Sequence, residues 1–366
     1  MRRSLRWVLA ALALVALATS ARADEEAPPV GVNARGDRPS TDWFVLPVAF
    51  YLPETSLGLA LSGGYHFGTD RGIQTSSVHV VGAYTLNSQA SLSLDGQLFA
   101  GESLALTAKG LFSVFPSHFF GIGNGARRED DEAFTSRLGE VQLASEIYLI
   151  PRRLRTGPKI GFRSEHFFSF ATAGQLASGR VAGTSDYTRV GLGWSLSWDT
   201  RDSLFAPSRG EYLDASYLFM PGGDASGGFG RGHVDARRFA PLGAGHVLGI
   251  ETRVDYAHGD VPFTVLPRIG GGMGLRGYLD GRYRDRIAYL LQAEYRFPLL
   301  WRVGGAAFAG AGGVAAAPSE IGAEHVRPAA GAGLRFRLTE DGVVLRADVA
   351  VGQDGANVYV VGMQAF

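Results

Sequence analysis

The chain has 366 residues, with 35 Lys and Arg against 35 Asp and Glu, so its formal net charge is zero. The lack of a basic excess argues against nucleic acid as a partner, and the absence of cysteine excludes disulfides and thiolate metal sites. Hydrophobic residues make up 46% of the sequence, and the 51 glycines are about twice the usual share, which favours strands over helices.

The first residues have the pattern of a secretory signal peptide. Three arginines among the first six residues precede an apolar stretch, residues 7–18, and Ala21 and Ala23 lie at the two positions that a signal peptidase reads. The apolar stretch is shorter than the about 20 residues that a membrane-spanning helix needs. We therefore predict that residues 1–23 are a signal peptide cleaved after Ala23. The remaining chain would carry 31 basic and 35 acidic groups.

Two further regions follow the signal peptide. Residues 24–41 are rich in Pro, Gly and charge and have no periodicity, which is typical of a short disordered lead, here on the periplasmic side. In residues 42–366, segments of about ten residues alternate apolar and polar side chains, and turn residues separate them. The pattern predicts one all-β domain, a transmembrane antiparallel β-barrel in the bacterial outer membrane.

The alternation divides each segment into two faces, because successive side chains of a strand point in opposite directions. In residues 288–297, Gln292, Glu294 and Arg296 share the polar face, which we assign to the barrel lumen. A water-soluble β-sandwich would alternate in the same way. The aromatic residues at segment ends favour the membrane, where they would form a girdle; they are Trp198, Tyr295 and Phe297.

The pattern predicts sixteen strands, although twelve or fourteen remain open because the segments around residues 43–51 and 222–232 alternate weakly. The predicted strands begin near residues 43, 56, 74, 89, 103, 135, 157, 187, 210, 228, 246, 286, 302, 329, 342 and 356. Short connections are expected at 68–72, 151–157, 241–245 and 339–342, and long ones at 116–133, 171–186 and 259–285. Short periplasmic turns and long outer loops would produce this rhythm.

Four stretches carry recognisable motifs. Gly270–Asp285 reads G-G-G-M-G-L-R-G-Y-L-D-G-R-Y-R-D, and Asp199–Gly210 reads D-T-R-D-S-L-F-A-P-S-R-G. Phe120–Asn124 reads F-G-I-G-N, and Leu345–Phe366 has R-A-D in one strand and a final Phe in the next. Together they resemble the loop signature, the periplasmic-turn motif and the last hairpin of the outer-membrane assembly-factor superfamily, the BamA/TamA group of bacterial surface antigens. The resemblance covers residues 43–366.

The resemblance implies a non-enzymatic barrel that inserts or moves protein or lipid at the outer membrane. Its expected partners are outer-membrane lipid and lipopolysaccharide, the barrel assembly machinery, and a separate periplasmic protein. This last protein would supply the role of the POTRA domains that precede the barrel in relatives, for which the chain has no room. No cofactor is expected. The resemblance also implies a weak seam between the first and last strands, and Pro47 gives a physical reason, since it cannot donate to a strand ladder.

The loop signature supplies the first candidate site residues. The resemblance implies that the loop carrying Leu275, Arg276, Gly277 and Tyr278 folds into the lumen, where Arg276 pairs with an acid on a late strand. The lumenal acids Glu294 and Asp348 are the candidate partners, since a guanidinium can bind a carboxylate through two parallel bonds; which of them pairs is left open. Relatives often place an acid near Phe308, and this chain has Ala and Gly there.

Two further sets of residues are singled out. The periplasmic turn motif contains Asp199, Arg201, Asp202, Pro207 and Gly210, which we expect to form a hydrogen-bonded turn that fixes strand register rather than a metal site. The C-terminal assembly signal comprises Val358, Val360 and Phe366, expected on one face of the last strand.

Two alternatives to the assembly role stay open. One is a passive pore or structural barrel. The other is a barrel-embedded lipid hydrolase that uses Ser216, His233 and an acid, Asp214 or Asp235, on the polar wall.

Overall fold

The chain forms a closed antiparallel β-barrel of sixteen strands, β1–β11 and β14–β18, with a short two-stranded sheet, β12–β13, in one loop. The computed structural model describes residues 42–68, 75–223, 227–338 and 344–366; the predicted signal peptide and lead, residues 1–41, lie outside these ranges. The strands are β1 Asp42–Leu52, β2 Ser56–Gly68, β3 Thr75–Thr85, β4 Ala90–Ala100, β5 Leu104–Phe119, β6 Glu132–Ile150, β7 Leu154–Phe170, β8 Tyr187–Asp199, β9 Gly210–Met220, β10 Phe229–Gly243, β11 His246–Gly259, β12 Arg268–Ile269, β13 Tyr283–Arg284, β14 Ile287–Leu300, β15 Val303–Ala315, β16 Arg327–Arg337, β17 Val344–Gly352 and β18 Gly355–Gly362.

The order of the strands around the barrel follows their order in the chain. Each wall strand pairs with the next wall strand along the chain, and β1 pairs with β18 to close the ring. The prediction of sixteen strands is confirmed, and every barrel strand begins within three residues of its predicted start. The alternatives of twelve and fourteen strands are wrong, because the weakly alternating segments near residues 43–51 and 222–232 do contribute to β1 and β10.

The two faces of the wall have the polarity of a membrane barrel. On the outer face of β8, Leu192 is 68% exposed and Trp194 is 56% exposed, whereas Glu294 of β14 and Asp348 of β17 point inward and are fully buried. A water-soluble β-protein would bury the apolar set and expose the charged one. The prediction of a transmembrane barrel over a soluble sandwich is therefore confirmed. No helix among the described residues is long and apolar enough to cross a membrane.

Connections at the two ends of the barrel differ in length. One end, which we call the loop rim, carries the long connections 120–131, 171–186, 260–286 and 316–326. The other end, the short-turn rim, carries 101–103, 151–153, 244–245, 301–302 and a longer turn at 200–209. This matches the predicted rhythm wherever it falls on described residues. The predicted turns at 68–72 and 339–342 lie almost entirely outside the described ranges.

The seam between β1 and β18 is the weakest join in the wall. These strands are in register at one pair, Tyr51↔Val360, whereas β17 and β18 pair at eight positions. Continuing the seam register would place Pro47 opposite residue 364, but β18 ends at Gly362. Pro47 therefore lies in the part of β1 that β18 does not reach, where its missing N–H removes no seam bond.

The segment after β18 turns into the barrel. Phe366 is buried against Phe239 and Val247, which lie on the inner wall of β10 and β11. The prediction that Phe366 shares one face of the last strand with Val358 and Val360 is thus wrong, because the strand stops at Gly362 and the alternation of its faces stops there too. Val358 does face outward and is 46% exposed.

Candidate functional site

The longest connection of the loop rim, residues 260–286, enters the lumen, and we call it the lumenal loop. Its apolar side chains Ile269, Leu275 and Tyr278 pack against Leu290 of β14 and Val314 of β15. Burial of these side chains against the inner wall holds the loop inside the barrel.

A glycine allows the loop to approach the wall closely at its tip. Gly277 has φ +109°, and a Cβ there would lie 3.0 Å from the backbone of Val351 and Gly352 at the end of β17. Only glycine adopts this conformation without strain and also fits against the strand backbone. Its position directs the neighbouring Arg276 toward the barrel wall.

Six charged side chains meet where Arg276 reaches the wall, and we call them the arginine–acid cluster. Arg276 Nη1 lies 2.8 Å from both Glu294 Oε2 and Asp348 Oδ2, so both candidate acids contact it. Three more arginines complete the cluster: Arg296 Nε donates to Glu294 Oε1 at 2.8 Å, Arg335 binds both acids, and Arg346 Nη1 donates to Asp348 Oδ2 at 2.7 Å.

The cluster contains four guanidinium groups and two carboxylates, all with nine-tenths or more of the side chain buried. In a buried site, a positive charge without an anion beside it costs free energy unless nearby dipoles take the place of the anion. Main-chain oxygens supply part of the compensation here, since Arg346 Nη2 donates to Gly272 O of the loop and Arg296 Nη2 donates to Phe366 O at 2.7 Å. The cluster therefore connects loop, wall and the segment after β18.

An aromatic ring also contacts Arg276. The Arg276 guanidinium carbon lies 3.4 Å from the centroid of the Phe308 ring, on β15. The Arg276 Nε and Nη2 atoms are buried and make no hydrogen bond to the described residues. The negative face of the Phe308 ring attracts the positive charge that these two nitrogen atoms share. Acids from β14 and β17 and a ring from β15 thus surround the one arginine.

The last strand also holds the loop. Tyr359 Oη accepts a hydrogen bond from Gly277 N–H at 2.9 Å, and Asn357 Nδ2 donates to the Gly277 carbonyl oxygen at 2.8 Å. Tyr278 Oη donates to the Pro328 carbonyl oxygen at 2.8 Å, on β16. The loop tip is therefore fixed directly to β18, the strand that forms one side of the seam.

The motif from Asp199 to Gly210 forms a hydrogen-bonded turn between β8 and β9. Arg201 binds both carboxylate oxygens of Asp199 at 3.0 and 2.7 Å. Asp202 Oδ1 accepts from the N–H groups of Ser208 and Arg209 at 2.9 and 3.3 Å. Gly210 begins β9, and Pro207 is buried although it lies in a turn. The turn lies at the short-turn rim.

The residues of the hydrolase alternative belong to separate pairs. His233 Nδ1 lies 2.6 Å from Asp255 Oδ1 rather than beside the predicted Asp235, which Arg237 binds. Ser216 Oγ accepts a hydrogen bond from Lys159 Nζ at 3.4 Å. The geometry thus gives each of these groups an ion-pair or hydrogen-bond partner other than the one that a Ser/His/Asp relay needs.

Sequence reasoning missed part of the cluster and its supports. Arg346 was quoted only as part of the R-A-D motif, and Arg335, Asn357 and Tyr359 were not singled out. A signal existed for the last two: Val358 faces outward, so its neighbours along the strand face the lumen.

A cavity of about 720 Å³ lies between the lumenal loop and the wall. Polar wall residues such as Ser91 and Glu140 and loop residues such as Arg268 and Arg284 line it. The lumen is therefore partly filled by the loop and partly hollow.

Comparisons with known proteins agree with this architecture. The Omp85 superfamily domain matches residues 126–358, which is more than half of the chain. Among solved structures, BamA from Haemophilus ducreyi lacking POTRA domains 1–3 is 13% identical, with 88% of this chain and 70% of that chain covered at a TM-score of 0.60. CdiB from Acinetobacter baumannii is 13% identical, covering 89% of this chain and 66% of that one at a TM-score of 0.53.

CdiB from Escherichia coli is 12% identical, with 89% of this chain and 67% of that chain covered at a TM-score of 0.57. A search of curated proteins finds no match. The structural likenesses show a shared fold, and the family match implies a place in the outer membrane, as predicted. With its closed sixteen-stranded barrel and this match over residues 126–358, the chain belongs to the Omp85 superfamily.

Proposed function

We propose that this barrel inserts or moves protein or lipid at the outer membrane and that the seam between β1 and β18 is where the wall opens. The observation that carries the proposal is the single registered pair, Tyr51↔Val360, at the seam. Among the described residues, every other two neighbouring wall strands are joined by eight or more pairs of opposite residues. Breaking the seam therefore costs the fewest backbone hydrogen bonds.

The lumenal loop supports an opening that is controlled rather than permanent. Asn357 and Tyr359 of β18 bind the loop tip, and the arginine–acid cluster anchors the same tip to β14 and β17. A change in the position of the loop would thus act directly on one side of the seam. In this view Arg276 sets the resting position of the loop, and Leu275, Gly277 and Tyr278 seat it against the wall.

The partners of the proposed activity follow from the outer face and from the family. The apolar outer wall would contact outer-membrane lipid and lipopolysaccharide, and the short-turn rim would face the periplasm. We further propose contacts with the barrel assembly machinery and with a separate periplasmic protein that supplies the POTRA role. Support for these contacts comes from membership of the Omp85 superfamily. Val358, Val360 and Phe366 remain the proposed assembly signal, with the last of them facing inward.

A disulfide across the seam tests the proposal. Tyr51→Cys with Val360→Cys should form a disulfide, because directly opposite residues of antiparallel strands have suitable Cα separations of about 4.5–5.5 Å. In lipid vesicles, oxidation should abolish the insertion of an unfolded outer-membrane protein and the movement of a fluorescent lipid between leaflets, and reduction should restore the activity. Both activities would be followed against time.

The matched control is Leu59→Cys with Tyr84→Cys, an opposed and outward-facing pair in the ladder between β2 and β3. Its disulfide should leave both activities unchanged. Equal activity of the oxidised seam variant and the oxidised control would rule out opening at the seam. High steady ion conductance of the unmodified protein would instead favour the passive pore.

A further inference from the structure

The mouth of the barrel at the short-turn rim is crossed by the turn 200–209. This turn leaves the wall between β8 and β9, yet the Phe205 ring stacks on His79 of β3, with centroids 5.9 Å apart and planes inclined by 17°. On the other side, the Pro207 carbonyl oxygen accepts a hydrogen bond from Arg296 Nη1 of β14 at 3.3 Å. Four wall strands separate β8 from β3. The turn therefore spans the mouth instead of extending away from the barrel.

A second segment, residues 363–366, crosses the same mouth from the other side. The Phe366 ring lies 6.3 Å from the Phe239 ring of β10, although five wall strands separate β18 from β10. Gln364 Oε1 accepts a hydrogen bond from Arg335 Nε of β16 at 3.1 Å. The segment is thus attached to two separate parts of the wall.

One arginine joins the two crossing segments. Arg296 donates from Nη1 to Pro207 O, from Nη2 to Phe366 O at 2.7 Å, and from Nε to Glu294 Oε1 at 2.8 Å. Its guanidinium carbon also lies within 5.7 Å of the Phe239 and Phe366 ring centroids. We propose that turn 200–209 and segment 363–366 form a second closure of the lumen, pinned by Arg296, which remains shut when the lumenal loop leaves.

The charge balance of the arginine–acid cluster couples this second closure to the loop. Arg276 and Arg296 both bind Glu294, and the cluster holds four guanidinium groups for two carboxylates. Withdrawal of the loop removes one cation, so Arg296 and Arg335 share the acids with less mutual repulsion. Departure of the loop therefore strengthens the second closure, and the two closures are not released together. This holds whatever the barrel transports.

Conductance through planar lipid bilayers tests the second closure. A sixteen-stranded barrel with an empty lumen forms an aqueous channel, so the conductance of a cleared barrel should exceed that of the unmodified protein by about tenfold or more. Deletion of residues 270–278 alone should raise it by less than about twofold, because the second closure stays shut. The same deletion combined with Arg296→Gln should give the large value.

The matched control combines the deletion with Arg302→Gln. Arg302 lies at the same rim, but it donates to the Leu338 carbonyl oxygen, directly after β16, so this variant should behave like the deletion alone. A full-sized channel from the deletion alone would overturn the proposal. So would a doubly altered barrel that migrates as folded protein on gels and still conducts poorly.

Cross-linking tests the same closure in a nearly unaltered barrel. The chain has no cysteine, so Phe205→Cys and His79→Cys are the only thiols of the double variant. A short thiol-specific cross-linker should join them in the membrane-embedded protein, whereas Phe205→Cys with Leu86→Cys, at the opposite rim, should not react. Failure of the first pair to cross-link would overturn the closure even if the Arg296 variants do not fold.

Discussion

Asp348 accepts hydrogen bonds from three guanidinium groups, those of Arg276, Arg335 and Arg346. The acids are therefore the limiting component of the arginine–acid cluster. An arginine can be removed and both acids still have partners. Removal of an acid leaves one buried arginine without a carboxylate partner, Arg346 for Asp348 or Arg296 for Glu294, and leaves Arg276 and Arg335 with one acid instead of two. This asymmetry makes the two acids more important for stability than any single arginine of the cluster.

Asp348→Asn should accordingly destabilise the folded barrel by about 3–5 kcal/mol, the usual cost of breaking a buried ion pair from one side. Arg276→Gln should cost less than Asp348→Asn. Urea unfolding in lipid vesicles, followed by tryptophan fluorescence, would measure both. Asp130→Asn is the control, because Asp130 pairs with Arg127 on an exposed loop. An Arg276 variant less stable than the Asp348 variant would contradict the charge count.

We expect the stability of the folded barrel to depend on pH through Glu54, in the turn between β1 and β2. Burial, with the nearby Asp280 charge, raises the pKa of Glu54 from 4.5 to about 7. Between pH 4.5 and about 7 this carboxyl keeps its proton in the folded state but loses it in the unfolded state. The free energy of unfolding therefore falls as the pH rises through this range. Glu54→Gln should therefore gain stability relative to the unmodified protein above pH 7 and lose this advantage near pH 4.

The measurement is the urea midpoint of both proteins at pH 4, 6 and 8. Glu129→Gln serves as the control, since the Glu129 side chain at the same rim is 67% exposed. A constant difference in midpoint between the Glu54 variant and the unmodified protein over this range would exclude ionisation of Glu54 as the cause.

At the level of single residues, the sequence predicted which side chains face the lumen but not how they combine. Period-2 alternation places Glu294, Arg296 and Asp348 inside, because facing depends only on neighbours along the strand. The contact of Arg276 with both acids, by contrast, depends on how β14, β17 and the 27-residue lumenal loop are placed relative to one another. No local pattern contains this information.

Among the wall elements, β16 provides the space that the cluster needs. Gly333 lies directly opposite Asp348 in the ladder between β16 and β17. A Cβ at Gly333 would approach Asp348 Oδ1 and the Ala347 carbonyl oxygen to a distance that no ordinary contact allows. The absence of a side chain on β16 is therefore what allows the Asp348 carboxylate to reach its three arginines.

Gly333→Ala should displace Asp348 from the cluster and destabilise the barrel by an amount similar to that of Asp348→Asn, about 3–5 kcal/mol. Gly82→Ala in β3 is the matched control, because a Cβ there meets no atom closer than 4.0 Å. Urea unfolding of the two glycine variants compares them directly. Equal midpoints for both variants would show that the cluster tolerates movement of Asp348.

The boundaries of elements were predictable from sequence wherever alternation is uninterrupted and failed where it is not. All sixteen strands begin close to their predicted positions, since turn residues separate the alternating segments. The last strand was expected to continue to Phe366, but it ends at Gly362. The inward turn depends on a distant pocket formed by Phe239, Val247 and Arg296, which lies far from β18 in sequence.

For the whole molecule, composition and alternation sufficed to predict the barrel, because a closed sheet is one of the few ways to satisfy every backbone group in lipid. They could not predict how the lumen is filled. The lumenal loop, turn 200–209 and segment 363–366 enter the barrel from different ends and meet at one cluster, and only the closed ring brings them together.

The order of the strands has a consequence for how the molecule folds. Since each wall strand pairs with its neighbour along the chain, the sheet can grow hairpin by hairpin, and no step closes a loop longer than the 27 residues of the lumenal loop. Only the pairing of β1 with β18 joins distant parts of the sequence, and it brings a single registered pair. Ring closure therefore has the largest entropic cost and the smallest return in hydrogen bonds. We expect it to be the slowest step of folding and the first to reverse.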